Sequence, residues 1–240
     1  MNAIADFAAP RIDPSQAIGQ IAVQLPGATA VFRRLKLDFC CGGHISLGQA
    51  ANDKGLDLQA VVDELSALQR PSSLPDADTP PALIDHIIAR YHEVHRAQLP
   101  ELIRMARRVE AVHRDNPDTP RGLAHALEVM EQELVTHMHK EEAVLFPMLR
   151  AGGNSFVSQP IAMMRHEHND HGQALEHIAQ LTHDITPPPG ACNTWRALYA
   201  GLGQLREDLI SHIHLENNLL FPQFEQAQPQ GCGGGRCGCA

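Results

Sequence analysis

No block of basic residues occurs anywhere in these 240 residues, and the formal net charge is −9. A surface without a basic block lacks the electrostatic footprint for nucleic acid or an anionic membrane, so neither is expected as a partner. No apolar run approaches the length of a membrane span. The opening residues, MNAIADFAAPRIDPSQ, lack the basic region and apolar core of a secretory signal. A cytoplasmic location follows as the expectation. Six cysteines in that reducing setting do not read as a disulfide framework. Tryptophan and tyrosine are scarce, at one and two residues. Histidine is the contrast: fifteen are present, and neutral imidazole is the commonest protein ligand for transition metals.

Punctuation divides the chain. The stretch RPSSLPDADTPP, Arg70 to Pro81, holds four prolines in twelve residues and reads as a linker. The reading is a small helical domain over 10–70, a linker over 71–81, a large domain over 82–226 and a Gly/Cys-rich tail over 227–240. In the small domain, LDLQAVVDELSALQR has apolar residues at helical spacing, with Asp57 placed to favour its N-terminal end. The large domain shows four long segments, about Leu83–Arg114, Arg121–Leu149, Gln159–His183 and Cys192–Phe224, without strand-like alternation. Short breaks rich in Pro, Gly and Asn separate them, which predicts an up-down-up-down four-helix bundle. The fold class expected is therefore all-α. Pro100 is predicted to kink the first bundle helix.

The second and fourth segments repeat one another. THMHKEEAVLFP, Thr136 to Pro147, aligns with SHIHLENNLLFP, Ser211 to Pro222, at a constant offset of 75 residues. His137 and Glu141 thereby match His212 and Glu216. In the first and third segments His92 and His95 match His168 and His171 at an offset of 76. Residues four apart on a helix lie about 40° apart around its axis. Each HxxxE pair can therefore address one centre, and facing helices of a bundle bring such pairs together. Four imidazoles (His92, His137, His168, His212) and two carboxylates (Glu141, Glu216) predict a dinuclear metal centre. If each carboxylate bridges both ions, every ion has four protein ligands, and an oxo or hydroxo bridge makes five. One position then stays open for a small molecule. Imidazole and carboxylate without cysteine suit iron or manganese better than structural zinc, and iron is the expected metal.

Other groups are weighed against this set. His139 and His214 lie about 200° around the helix from the paired histidines and should face away. The i+3 spacing of His95 and His171 from His92 and His168 leaves them near the site as alternative ligands or supporting groups, with ordinary core or surface histidine the better reading for both. Glu133 and Asp208, one turn before His137 and His212, either orient those rings or simply stabilise the helix; Glu167 is a weaker candidate of the same kind. Cys192 reads as a small buried apolar residue.

These residues carry a resemblance. The H…HxxxE…H…HxxxE pattern resembles the hemerythrin-like domains. With DFCCGG, RYHEVHRAQLPEL, HMHKEEAVLFPM, TPPPGACNTW and SHIHLENNLLFP, the chain looks like the di-iron iron–sulfur cluster repair proteins, the repair-of-iron-centres family. The likeness covers roughly residues 10 to 226. It implies two carboxylate-bridged non-haem irons on His92, His137, Glu141, His168, His212 and Glu216. It also implies a cytoplasmic protein that restores iron–sulfur clusters damaged by nitrosative or oxidative stress, by iron donation or nitric oxide handling at an open iron site. Damaged iron–sulfur proteins would be its partners, nitric oxide or dioxygen its small ligands, and a homodimer is compatible with the resemblance. The alternative is a hemerythrin-like protein that binds or senses nitric oxide or dioxygen without repair. Nitric oxide reductase or peroxidase turnover at the di-iron site is a further reading. Against a simple oxygen carrier, four histidines are secure ligands where the carriers use five.

Cys40 and Cys41 in DFCCGG remain open between a reactive dithiol with a redox role and simple packing. A disulfide between adjacent residues would be strained, and a zinc knuckle would want spaced cysteines. The tail GCGGGRCGCA departs from the family pattern. Its glycine content predicts flexibility, with Cys232, Cys237 and Cys239 as potential soft-metal ligands.

Overall fold

The computed structural model describes residues 12–25, 28–68 and 79–225. The tail at 227–240 and nearly all of the linker lie outside them. Among the described residues there are helices and turns but no strand, apart from one isolated bridge between Ala17 and Ser46.

Four short helices form the N-terminal module: α1 (Ile18–Gln24), α2 (Ala28–Arg34), α3 (Leu47–Asp53) and α4 (Leu58–Ser66). The starts of α3 and α4 are set by side chains that satisfy free backbone N–H groups. Ser46 accepts from Gln49 N at 3.2 Å, and Asp57 accepts from Gln59 N at 2.9 Å. Helices this short are not stable alone, so burial of one apolar face holds them together. Ile18, Phe32, Phe39, Leu47 and Leu65 meet in that core.

The bundle follows. Its first helix is α5 (Pro80–Ile87), a π-helical turn Ile88–His92, and α6 (Glu93–Val112). The second is α7 (Leu123–Lys140), a π turn Glu141–Leu145, and α8 (Phe146–Arg150). The third is α9 (Ser158–Leu181). The fourth is α10 (Asn193–Leu215), a π turn Glu216–Leu220, and α11 (Pro222–Glu225). α6 packs on α7 and α10, and α9 on the same two helices, which closes the bundle.

In each π turn the N–H reaches back five residues: Glu93 to Ile88, Phe146 to Glu141, Phe221 to Glu216. Pro147 and Pro222 stand one residue beyond the ends of two of these turns, after Phe146 and Phe221. A proline ring crowds the carbonyl four residues earlier, and the preceding turn widens to accommodate it. The first π turn has no adjacent proline. α6 itself continues through Pro100, so the departure from α-helical bonding on this helix falls at 88–92 rather than where a proline kink was expected.

Two apolar clusters fill the bundle. One joins Leu99, Leu134, Leu175 and Leu209 with their neighbours, and the other joins Ile87, Phe146, Met164 and Leu220. On all four helices the switch between clusters falls at the same place. It is marked by buried polar residues: His92 and His95, His137 and Glu141, His168 and His171, His212 and Glu216. A polar layer thus crosses an otherwise apolar bundle, and such a layer requires partners.

The N-terminal module docks beside that layer. Asn218 donates to the carbonyls of Phe39 (3.2 Å) and Cys40 (3.3 Å), and Asn217 donates to Cys40 O at 3.1 Å. Gly43 must be glycine for this approach. A Cβ there would stand 2.4 Å from Phe39 O and 2.9 Å from Asn218 Oδ1.

Candidate metal centre

The structure brings His92, His137, Glu141, His168, His212 and Glu216 into one buried cluster, each at most 1 % exposed. His92 and His212 face each other with their Nε2 atoms 3.1 Å apart, and His137 and His168 do so at 3.2 Å. Each glutamate presents one oxygen to each pair. Glu141 Oε2 lies 3.4 Å from His92 Nε2, while its Oε1 lies 3.3 Å from His137 Nε2. Glu216 Oε1 lies 3.2 Å from His212 Nε2, and its Oε2 lies 3.0 Å from His168 Nε2. Two four-residue groups result, His92–Glu141–His212–Glu216 and His137–Glu141–His168–Glu216, and they share both carboxylates.

The donor chemistry fits cations. His92 Nδ1 meets Glu142 at 2.6 Å, and His137 Nδ1 meets Glu167 at 2.9 Å. His168 Nδ1 meets Asn217 Oδ1 at 2.9 Å. These acceptors put the proton on Nδ1 and leave Nε2 as a bare lone pair. Two lone pairs pointed at each other across 3.2 Å repel unless a proton or a metal lies between them. No donor of adequate geometry reaches either Glu141 oxygen or Glu216 Oε2. Buried anionic oxygens without donors are costly, and coordinated cations remove that cost.

Without cations, protons take their place. Burial opposes the charged form of His137, but Glu141 outweighs it and lifts its pKa to about 9. His92 is raised for the same reason, burial against the Glu141 carboxylate. Burial would raise the Glu141 carboxyl, yet His137 and His92 hold it well below the usual range. His212, by contrast, is lowered by burial. The cluster therefore demands positive charge.

The supporting groups were only partly foreseen. Glu167 Oε2 lies 2.9 Å from His137 Nδ1, and Lys140 holds Glu167 at 2.6 Å. Glu133 does not take part: its side chain is exposed, on the outside of α7. Asp208 is buried, but it pairs with Arg90 at 2.6 Å, while His212 Nδ1 has no partner. Glu142 and Asn217 were missed. The signal was available, since both directly follow a repeat glutamate and align at the same offset of 75.

The remaining histidines also differ from expectation in part. His139 is exposed and faces away. His214 is buried against the N-terminal module, its ring edge-on to Phe39 at 5.1 Å. His95 and His171 are core residues inside the polar layer, with ring centres 5.6 Å from His212 and 4.9 Å from His137. Burial pushes both pKa values down to about 3, so both are neutral. Cys192 is exposed rather than buried, because it caps α10 at the bundle end, where its sulfur meets His113 Nε2 at 3.2 Å. Cys40 and Cys41 are half-buried in the loop that touches Asn217. Cys232, Cys237 and Cys239 lie outside the described residues.

Comparison with known proteins agrees with this layout. Residues 83–224 match the hemerythrin HHE cation binding domain, and residues 14–69 match a domain of unknown function, DUF542. Iron–sulfur cluster repair protein YtfE of Yersinia pseudotuberculosis serotype O:1b (strain IP 31758) is 52% identical over 212 residues, covering 87% of this chain and 96% of the relative. The protein of that name from Yersinia pestis (strain Pestoides F) is similar to the same extent. A hemerythrin-like bundle whose layer of four histidines and two glutamates fits non-haem iron, preceded by a small helical module, places this chain in the family of YtfE-type iron–sulfur cluster repair proteins.

Proposed function

We propose that the protein repairs iron–sulfur clusters damaged by nitrosative or oxidative stress, using two non-haem irons in the buried layer. His92 and His212 would hold one ion and His137 and His168 the other. Glu141 and Glu216 would serve both, and an oxo or hydroxo bridge is the part carried by family resemblance. The observation that supports this most is the split of each carboxylate, one oxygen per histidine pair. When bound, the irons supply Lewis acidity, redox change and positions for a small molecule such as nitric oxide.

The chain's own groups set how that centre behaves. Glu142, Glu167 and Asn217 fix the histidine tautomers so that Nε2 is the ligand atom. Apolar residues above and below, among them Phe146 and Phe221, exclude bulk water; their rings stack on His92 and His168 at 5.6 and 6.0 Å. His95 and His171 bring neutral imidazoles to the same layer, each with both ring nitrogens unpartnered. Two glutamates beside four histidines would make a site more anionic than an all-histidine one and would favour ferric iron. Iron delivered to a damaged partner is then cargo. Among the described residues no helix is long and apolar enough to cross a membrane. The family resemblance supports a cytoplasmic reaction with damaged iron–sulfur proteins as partners.

The test pairs iron-loaded protein with an iron–sulfur enzyme inactivated by nitric oxide, following enzyme activity and iron content together. Recovery in step with iron loss from this protein is the expected result. No recovery, with reversible gas binding seen optically, would overturn repair in favour of a binding or sensing role.

A further inference from the structure

A second set of ligand-type side chains lies outside the polar layer, in the loop between α2 and α3. Asp38, Cys40 and Cys41 place a carboxylate oxygen and two sulfurs within 4.8 Å of one another. The two Sγ atoms are 3.8 Å apart, and Cys40 Sγ is 3.2 Å from Asp38 Oδ1. Two thiolates bound tetrahedrally to one ion at about 2.3 Å must lie about 3.8 Å apart, and a carboxylate oxygen at about 2.0 Å lies about 3.5 Å from each sulfur. The sulfur–sulfur separation is that of ligands sharing one ion, the Cys40–Asp38 distance is a few tenths of an ångström shorter, and Cys41 Sγ lies within 4.8 Å of the same carboxylate. The two sulfurs are far from the ~2.05 Å of a disulfide.

The loop holds this arrangement by its backbone. Asp38 Oδ1 accepts from Cys41 N at 2.9 Å, which turns the carboxylate toward the sulfurs. Gly42 leaves room for it, since a Cβ there would stand 3.1 Å from Asp38 Oδ2. Four of the five cations on the adjoining groove wall are engaged elsewhere, Arg33 with Glu207, Arg34 with Glu64, and Lys36 and Arg206 with Asp184, while Lys54 makes no ion pair among the described residues. The groove, about 1020 Å³ between the module and α9 and α10, gives the half-buried sulfurs access to solvent.

We propose that Asp38, Cys40 and Cys41 form a second metal site that takes a thiolate-preferring divalent cation of the zinc class, with its fourth position open to the groove. Binding forms two metal–sulfur bonds and one metal–oxygen bond, and it releases two thiol protons to solvent without any redox change. Adjacent cysteines serve here because Asp38, two residues upstream, supplies the third donor that the spacing of a zinc knuckle would have required from another cysteine. The site is distinct from the His/Glu layer, although Asn217 touches both, through Cys40 O and His168.

The test uses the iron-loaded full chain with Cys192, Cys232, Cys237 and Cys239 changed to serine, so that Cys40 and Cys41 are its remaining thiols. Cadmium is titrated in as the zinc-class probe, and thiolate-to-cadmium absorption and protein-bound iron are recorded together. The expected result is a band that saturates at one cadmium per chain with iron unchanged. Cys40→Ser should abolish tight binding. Asp38→Asn, which keeps an acceptor for Cys41 N, should keep the band and weaken affinity roughly tenfold or more. Unchanged hydrogen exchange across α1–α4, read together with retained iron, shows that both the module and the bundle are intact in each variant. Absence of a saturating band, unchanged affinity in either variant, or iron lost in step with cadmium uptake would each overturn the proposal.

Discussion

The two halves of the buried layer share a repeat but not their support. In the first, His92 Nδ1 is held by Glu142, which Arg96 holds in turn at 2.7 Å. In the second, the equivalent His168 is held by Asn217, the residue aligned with Glu142. A carboxylate only accepts hydrogen bonds, whereas an amide accepts with its oxygen and donates with its nitrogen. Asn217 uses both ends, fixing His168 and donating to Cys40 O. The N-terminal module therefore docks on the half where the repeat has exchanged a glutamate for an asparagine. A similar exchange occurs one residue before the first histidine of each pair. Tyr91 stacks on His212 with ring centres 5.4 Å apart, while its counterpart Glu167 bonds His137. Divergence between the copies falls on residues that orient the ligand set and leaves the set itself unchanged.

The largest effect should come from the residues common to both halves. Glu141→Ala or Glu216→Ala removes an oxygen from each four-residue group, so both ions should be lost together, with bound iron falling by more than half. Elemental analysis checks this, and clean loss of one ion would show that the halves do not share carboxylates.

Next, Gly43→Ala should detach the module. The added Cβ would stand 2.4 Å from Phe39 O within the docking loop and 2.9 Å from Asn218 Oδ1 across the contact, and overpacking of this kind costs about 1–3 kcal/mol. Proteolysis should then release residues before the linker faster, while iron content stays nearly normal.

Glu142→Gln and Asn217→Ala would sharpen the contrast between halves. Each should lower iron affinity roughly tenfold to a hundredfold, but only Asn217→Ala should also raise hydrogen exchange in the Cys40 loop. Equal loosening by both variants would contradict a one-sided coupling.

The smallest effect concerns acid. Burial lowers the His214 pKa to about 4, against about 6.5 in an unfolded chain. The unfolded state takes up its proton first, so stability falls as pH drops from about 6.5 toward 4. His214→Asn should make the loss of urea midpoint between pH 7 and pH 5 shallower than in the parent protein.

Much of this architecture was legible because periodicity and spacing are local. The HxxxE pairs state their own helical face, and the 75-residue offset states that two such faces exist. Asp57 announced a helix start through its chemistry alone. What escaped were features that depend on which neighbour packs where. Glu133 and Asp208 look equivalent in the repeat, yet one faces solvent and the other meets Arg90 across helices. Spacing places His214 on the outside of the bundle, and that outer face is the one the module covers. The π turns depend on backbone hydrogen bonding that spacing does not reveal, although LFP in both repeats was their trace. In DFCCGG the sequence showed unusual residues without their purpose. The structure gives Phe39 to the module core, Gly43 to the docking contact, and Asp38 with both cysteines to one cluster.

The central claim is that one pair of carboxylates serves two histidine pairs. The most direct measurement is iron content per chain together with the magnetic behaviour of the iron-loaded protein. Two irons per chain with magnetically coupled spins is the predicted result. One iron per chain, or two irons behaving as isolated spins, would contradict it.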